Sequence, residues 1–348
     1  MKKDIRSLTL KDLNSFFVSN NYPTYRANQV YDWLWNKSCF SFDQMTNISL
    51  DLRNLLKSKF VINNVKIDNI QKSKDGTIKN AVKLFDNFLV ESVLIPVKNR
   101  TTACISSQVG CSLDCEFCAT SNLKRMRNLK PDEIFDQVST LNIQSKLYFN
   151  RPISNIVFMG MGEPLLNYNN LILGIEKITS KDGLGMSPKR ITVSTSGISK
   201  LIFKMADQNV KFNLAISLHS AIEETRNKIM PFSKKFPLDE LLEAVKYWNK
   251  KTGKIVTFEY IVWNKINDDL DHINALIKYC KSSKCKVNLI QYNDTDNPLY
   301  VSADDKIIDR YIIELEKNKI PVTVRKSRGK DIDAACGQLA NKFMNRSI

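Results

Sequence analysis

No apolar run in the 348-residue chain approaches the roughly 18 residues that a membrane-spanning helix requires. The opening Met1-Lys-Lys-Asp-Ile-Arg leads into a short amphipathic stretch and lacks the apolar core of a secretory signal. Internal repeats and low-complexity linkers are missing too, which argues against a repeat array. Histidine is scarce, with two in the whole chain. With export and membrane insertion set aside, the eight cysteines read as reduced thiols, metal ligands or catalytic groups. The cytoplasm is the expected location, with no membrane partner and a monomer as the expected state.

What is present in excess is positive charge. Lys and Arg total 52 against 36 Asp and Glu, a formal net charge of +16. Such a balance suggests a polyanionic partner, and nucleic acid is the commonest one. Lysine bias of a whole proteome could give the same total, so clustering is better evidence. Lys124, Arg125, Arg127 and Lys130 form one group, and Arg325, Lys326, Arg328 and Lys330 form another. Hydrophobic content of 43% and charged content of 25% are those of an ordinary globular protein.

Hydrophobic periodicity divides the chain. Leu8, Leu10, Leu13, Phe16 and Phe17, then Val30, Trp33, Leu34 and Trp35, recur at helical spacing on either side of Pro23, so residues 1–60 read as a small helical domain. From about 64 to 97 the composition turns strand-like, with Asp75-Gly76 as a hairpin turn, giving a short antiparallel β extension or linker over 61–97. From 98 to 348 strand alternates with helix. Strands are predicted at 101–108, 155–160, 190–196, 212–218, 255–262 and 286–292, and helices at 132–148, 169–180, 198–208, 238–251 and 268–284. The fold class is α/β: six βα units closing part of a barrel, whose chemistry gathers beyond the C-terminal strand ends.

The most informative run falls at such an end. Cys111-Ser-Leu-Asp-Cys115-Glu-Phe-Cys118 has C-x3-C-x2-C spacing, three thiols on one loop. A four-iron cubane takes four ligands, so three cysteines leave one iron open to a small molecule such as S-adenosylmethionine. Structural zinc stays open as the alternative, but it wants a fourth Cys or His and commonly paired C-x2-C knuckles. Gly160-Met-Gly162-Glu163 follows another strand, its glycines allowing close backbone approach and Glu163 able to receive an ammonium group. Ser194, Ser217, Leu218, His219 and Asn293 stand at neighbouring strand ends, credible as a ligand shell only as a set.

By these residues the chain resembles the RlmN family of dual-specificity 23S rRNA and tRNA adenine-C2 methyltransferases, which are radical S-adenosylmethionine enzymes. The resemblance rests on Cys104-Ile-Ser-Ser-Gln-Val-Gly-Cys111, on Cys111 through Cys118, and on Gly160-Met-Gly-Glu-Pro-Leu-Leu-Asn167. Ser194-Thr-Ser-Gly197, Ala215-Ile-Ser-Leu-His219 and Asp331-Ile-Asp-Ala-Ala-Cys-Gly-Gln-Leu339 complete it. It is dense from 91 to 339 and looser in the first 60 residues. The related C8 methyltransferase Cfr shares many of these motifs, but Pro164-Leu-Leu-Asn167 and Arg325-Lys-Ser-Arg-Gly329 look more like RlmN.

The resemblance implies a radical S-adenosylmethionine barrel with a [4Fe–4S] cluster on Cys111, Cys115 and Cys118. It implies S-adenosylmethionine contacts at Gly162, Glu163, Ser194, Ser217, Leu218, His219 and Asn293, and two molecules of it per turnover. It further implies that Cys336 carries a methyl group and, as a methylene radical, adds to adenine C2, and that Cys104 then resolves the protein–RNA adduct as a disulfide. Glu91 matches the family's proposed proton acceptor, against a plain reading as a solvated strand-end carboxylate. A flavodoxin- or ferredoxin-like electron donor and a thiol reductant are implied as partners, beside 23S rRNA and tRNA. The competing reading from another class is a zinc-dependent RNA-binding protein.

Overall fold

The computed structural model describes residues 2–295 and 297–341. Strand β1 (Lys3–Asp4) leads into helices α1 (Leu10–Ser19), α2 (Tyr25–Trp35) and α3 (Leu50–Lys59), and β2 (Phe60–Val61) returns to pair with β1 in parallel. Thr9 and Asp12 cap α1 reciprocally, and Leu13, Phe17, Val30, Leu34 and Leu52 bury the stripes that the periodicity predicts. Arg6 ties this module to the rest, beside ring contacts such as that of Trp35 with Phe135 (5.1 Å). The Arg6 guanidinium, 2% exposed, donates to Asp136 (2.7 Å), Asp132 (3.2 Å) and the Asn63 carbonyl (2.7 Å).

Strands β3 (Lys66–Lys72), β4 (Ile78–Lys83) and β5 (Leu89–Val97) run antiparallel, with the β3–β4 turn at Asp75-Gly76, where Gly76 takes φ +86°. They are part of the main sheet. β6 (Arg100–Cys104) pairs antiparallel with β5 on one side and parallel with the later strands on the other. Short strands β7 (Gln108–Val109) and β8 (Arg127–Asn128) pair across the cysteine loop.

The βα series follows: α4 (Pro131–Phe149), β9 (Asn155–Phe158), α5 (Tyr168–Thr179), β10 (Ile191–Thr195) and α6 (Ser199–Asp207). It continues through β11 (Asn213–Ser217), α7 (Glu223–Ile229), α8 (Leu238–Thr252), β12 (Val256–Ile261), α9 (Leu270–Lys281), β13 (Cys285–Ile290), α10 (Asp305–Lys317) and β14 (Val322–Arg325). The sheet has ten strands in the order β14-β13-β12-β11-β10-β9-β6-β5-β4-β3. Six βα units thus precede a seventh parallel strand, and β14 and β3 are open edges, so the barrel is partial. Apolar stripes such as Ile134, Val138 and Leu141 on α4 and Leu241 and Val245 on α8 share one core with Ile156, Val193, Leu214 and Phe258 of the sheet.

Two differences from the sequence reading stand out. Helix α10 and strand β14 were not predicted, although Ile308, Tyr311 and Leu315 give α10 a buried helical stripe behind an Asp304 cap. The β14 run Val-Thr-Val-Arg is half-exposed at a sheet edge and gives almost no apolar signal. Residues 66–97 are also more than a linker, because their strands continue the barrel sheet. Among the described residues no helix is long and apolar enough to cross a membrane.

Candidate active site

The loops beyond the parallel strands enclose a cleft lined by Cys111 and Cys115, with Cys118 packed beside them against the apolar cluster of Phe117 and Trp263. Gly110 makes the sharp entry into their loop at φ +71°, and a Cβ there would fall 2.3 Å from the Lys124 carbonyl oxygen. The Ser121 hydroxyl donates to the carbonyls of Cys115 (2.9 Å) and Cys118 (2.7 Å), holding the loop curled. Burial pushes the Cys111 thiol up to about 11 and raises Cys115 and Cys118, with added repulsion from Cys118 on Cys111, from both on Cys115, and from Cys336 on Cys118. Three thiols that repel one another in a dry cleft become stable thiolates only beside a strong positive charge, as a metal centre provides. Among the described residues no three His, Cys, Asp or Glu side chains surround a single-ion position. A cluster places a separate iron before each thiol, so three thiols on one loop fit a [4Fe–4S] centre.

Opposite lies a cradle of main chain. At Gly160 a Cβ would meet the Ile105 carbonyl at 2.7 Å, and at Gly162, φ +92°, it would meet Gln108 Cβ at 2.5 Å. Glu163, 3% exposed, accepts from the amides of Ser196 (2.8 Å) and Leu165 (3.0 Å). Burial raises its pKa against those bonds, the setting in which a bound ammonium group is most rewarding. Ser194, Ser217 and His219 line the same cleft. His219 takes φ +58° and its Nδ1 accepts the Ile261 amide (3.2 Å), while its ring meets Phe117 edge-on at 4.8 Å. Leu218 is buried and does not line the cleft; its carbonyl accepts from Arg226.

Sequence reasoning passed over four residues here. Ser196 and Glu259 line the cleft, and the Ser196 hydroxyl is buried beside the Glu163 carboxylate. Arg226, 1% exposed, ties two rim loops together by donating to the Ser217 (2.8 Å) and Ser196 (2.6 Å) carbonyls. Arg325, a member of the second basic group, lines the cleft and donates to the Met159 sulfur (3.2 Å). For Ser196 the available signal was the Ser194-Thr-Ser-Gly197 run after a strand, and for Glu259 an acidic residue within an apolar strand; the inward turn of Arg325 had none.

Cys336 lines the cleft facing the cysteine loop, on the segment after β14. Cys104, at the end of β6, is buried behind the cleft wall, and burial together with Cys336 pushes its thiol up to about 12. Arg325 feels both cysteines, Cys336 most strongly, so a cation stands within electrostatic reach of two thiols that are far apart in sequence. Asn293 does not line the cleft: its Nδ2 donates to the Cys336 carbonyl (3.2 Å), and its Oδ1 is buried without a partner. The plain reading of Glu91 as a solvated strand-end carboxylate is corrected. Glu91 is mid-strand in β5, fully buried, paired with Lys79 (3.3 Å) and accepting from the amides of Ala340 (2.8 Å) and Asn341 (3.3 Å). Of the basic clusters, Lys124, Arg125, Lys130, Lys326, Arg328 and Lys330 are exposed, whereas Arg127 is consumed by Asp86 (2.5 Å) and Glu133 (2.7 Å).

Known proteins agree with this geometry. Residues 3–62 match the ribosomal RNA large subunit methyltransferase N-terminal domain, and residues 105–277 match the radical SAM superfamily. A Flavobacterium psychrophilum protein named "Probable dual-specificity RNA methyltransferase RlmN" is 63% identical over 341 residues, 98% of each chain. A protein of the same name from Christiangramia forsetii is 61% identical over 98% of this chain and 97% of its own. The crystal structure of a radical SAM methyltransferase from Sphaerobacter thermophilus superposes with a TM-score of 0.91 at 34% identity, covering 97% of this chain and 99% of that one. The three-cysteine cleft, the partial barrel and full-length identity above 60% converge: this chain belongs to the RlmN family of the radical SAM superfamily.

Proposed function

We propose that this protein methylates C2 of an adenosine in 23S rRNA and the adenosine beside the anticodon in tRNAs, carrying the methyl group on Cys336. The observation that carries the reading is the placement of Cys336 in the cleft of Cys111, Cys115 and Cys118, with Cys104 behind it and Arg325 near both sulfurs. Adenine C2 is electron-poor and offers no nucleophile for ordinary methyl transfer, so a carrier thiol is chemically needed.

Cys111, Cys115 and Cys118 would hold the [4Fe–4S] cluster, which when bound supplies the electron for cleaving S-adenosylmethionine. Glu163 and the Gly160–Gly162 main chain would grip the methionine end, with Ser194, Ser196 and Ser217 on the flank. Cys336 accepts a methyl group from one S-adenosylmethionine through its sulfur, a second being spent for each methyl delivered. The carried methyl group would lose one hydrogen atom to the 5′-deoxyadenosyl radical supplied by the second S-adenosylmethionine, the S–CH2 carbon would bond to C2, and the C2 proton would pass to a base and one electron to the redox partner. Cys104 attacks the Cys336 sulfur, its own S–S bond forms as the C–S bond to the product breaks, and the disulfide waits for an external thiol reductant. Glu91 as proton acceptor would require its carboxylate to exchange the Ala340 and Asn341 amides for the base. The target base must be unstacked to reach the cleft.

A flavodoxin- or ferredoxin-like donor, a cytoplasmic setting and a monomeric enzyme complete the proposal. The relatives' shared name favours C2 over a Cfr-like C8 product. Anaerobic reconstitution with iron, sulfide, S-adenosylmethionine, reductant and unmodified RNA tests it by nucleoside mass spectrometry. The expected product is 2-methyladenosine; 8-methyladenosine, or none from a loaded protein, would overturn it.

A further inference from the structure

The segment that carries Cys336 is pinned at two ends. At its start the Gly329 amide donates to Asp75 (3.0 Å), and Asp331 accepts from the Ser73 hydroxyl (2.6 Å) and the Lys74 amide (3.1 Å). Lys79 adds a bond to the Asp333 carbonyl (3.2 Å). The approach is close: at Gly329, φ +68°, a Cβ would stand 2.9 Å from Thr77 Cγ2. At its far end Thr120 donates to the Leu339 carbonyl (2.6 Å), and Glu91 receives Ala340. Between them the Cys336 carbonyl is held by Asn293 (3.2 Å), and the neighbouring Gly337 carbonyl by the Ala119 amide (2.7 Å).

The hydrogen bonds at the first end all come from one element, the hairpin of β3 and β4, which lies outside the six βα units. No barrel needs that hairpin for its closure. The Cys336 sulfur, by contrast, must meet a methyl donor, a base and the Cys104 sulfur in turn, and a misplacement of about 1 Å is enough to misdirect such a step.

We propose that the β3–β4 hairpin is a mooring that sets the position of the Cys336 sulfur, with Asp331 and Asp75 as positioning residues. The proposal rests on the carrier role of Cys336 argued above. Hydrogen bonds from Ser73 and Lys74 hold the Asp331 carboxyl below its ordinary range, in keeping with an ionised tether.

The test uses full-length Asp331→Ala and Ser73→Ala proteins with two readouts. In the cluster-free protein, iodoacetamide alkylation of Cys336 is timed by peptide mass spectrometry, with buried Cys39 of the helical module as internal reference. In the reconstituted protein, 5′-deoxyadenosine released is compared with methyl groups delivered to RNA. Asp331→Ala should speed Cys336 alkylation while Cys39 stays protected, and should raise 5′-deoxyadenosine per methyl by about 10- to 100-fold. Total 5′-deoxyadenosine should hold near the wild-type level. Ser73→Ala, which removes one of the two bonds to Asp331, should move both readouts less in the same direction. Unchanged alkylation and coupling in both variants would overturn the mooring. Should Asp331→Ala expose Cys39 as well, the milder Ser73→Ala decides. If Cys336→Ala still methylated RNA, the carrier role would fall, while the alkylation readout would still judge the mooring.

Discussion

His219 shows how much one side chain is asked to do. Its ring is buried, its Nδ1 must be unprotonated to receive the Ile261 amide, and Arg226 is near. Burial first, and Arg226 second, hold its pKa down to about 3, against 6.5 for an ordinary imidazole. Between those values the unfolded chain binds a proton that the folded one refuses, so stability is complete above the higher value and falls as pH drops toward the lower. The slope from this residue is about 1.4 kcal/mol per pH unit. Urea unfolding at pH 7 and pH 5 measures it. His219→Asn keeps an acceptor oxygen, tolerates the positive φ and does not titrate, so it should flatten that part of the pH dependence. Equal slopes in the two proteins would refute the assignment.

Gly162 makes the complementary point about main chain. Gly162→Ala would force φ +92° on an alanine and drive its Cβ into Gln108, whose side-chain oxygen holds the Glu163 amide (2.9 Å). It should cost about 1–3 kcal/mol and suppress S-adenosylmethionine cleavage together. A normal melting temperature with normal 5′-deoxyadenosine release would contradict this. At this scale the sequence was most readable where chemistry is local. Cys111, Cys115, Cys118 and Glu163 announce themselves by spacing, whereas the bonds of Glu91 to Lys79 and Ala340 depend on strand register and on a partner 249 residues away.

Elements were legible in proportion to their apolar contrast. Apart from the short α7, which was not predicted, the βα alternation from 101 to 292 was read within a few residues because each buried strand is flanked by an amphipathic helix. β14, at a half-exposed edge, offered no such contrast, and α10 was overlooked despite a clear stripe. The docking of the helical module on α4 was illegible for a different reason. It depends on Arg6 meeting Asp132 and Asp136, partners 126 and 130 residues away. Those carboxylates are buried against desolvation only because the guanidinium is there: burial raises the pKa of both, and Arg6 pulls it down. Arg6→Ala should therefore cost about 3–5 kcal/mol, since it strands two acidic groups. Chemical denaturation would show it; a loss below about 1 kcal/mol, the range of exposed pairs, would mean that solvent screens the network.

On the scale of the whole molecule, the net charge of +16 needs sorting before it can be read as an RNA surface. Arg6, Arg127, Arg226 and Arg325 are committed to internal bonds, so the surface charge rests on residues such as Lys124, Arg125 and Lys130 beside the cysteine loop and Lys326 and Lys330 beside the Cys336 segment. RNA affinity should fall as salt rises. Lys124→Ala with Arg125→Ala should weaken binding and reduce the slope of log K against log salt by about 1 for each phosphate no longer neutralised. Salt-independent binding would mark the charge as proteome bias.

The central claim is that Cys336 and Cys104 divide one reaction between them, and purified Cys104→Ala protein tests it most directly. Without Cys104, methylation of Cys336 and bond formation to the base can proceed, but no thiol releases the product. Protein expressed in cells with its RNA intact should then carry a covalent RNA crosslink that survives denaturation. Nuclease digestion should reduce it to a short nucleotide remnant on Cys336, identified by peptide mass spectrometry, and Cys336→Ala protein should carry none. Cys104→Ala protein free of any remnant, beside a Cys336→Ala protein that still methylates RNA, would contradict the mechanism.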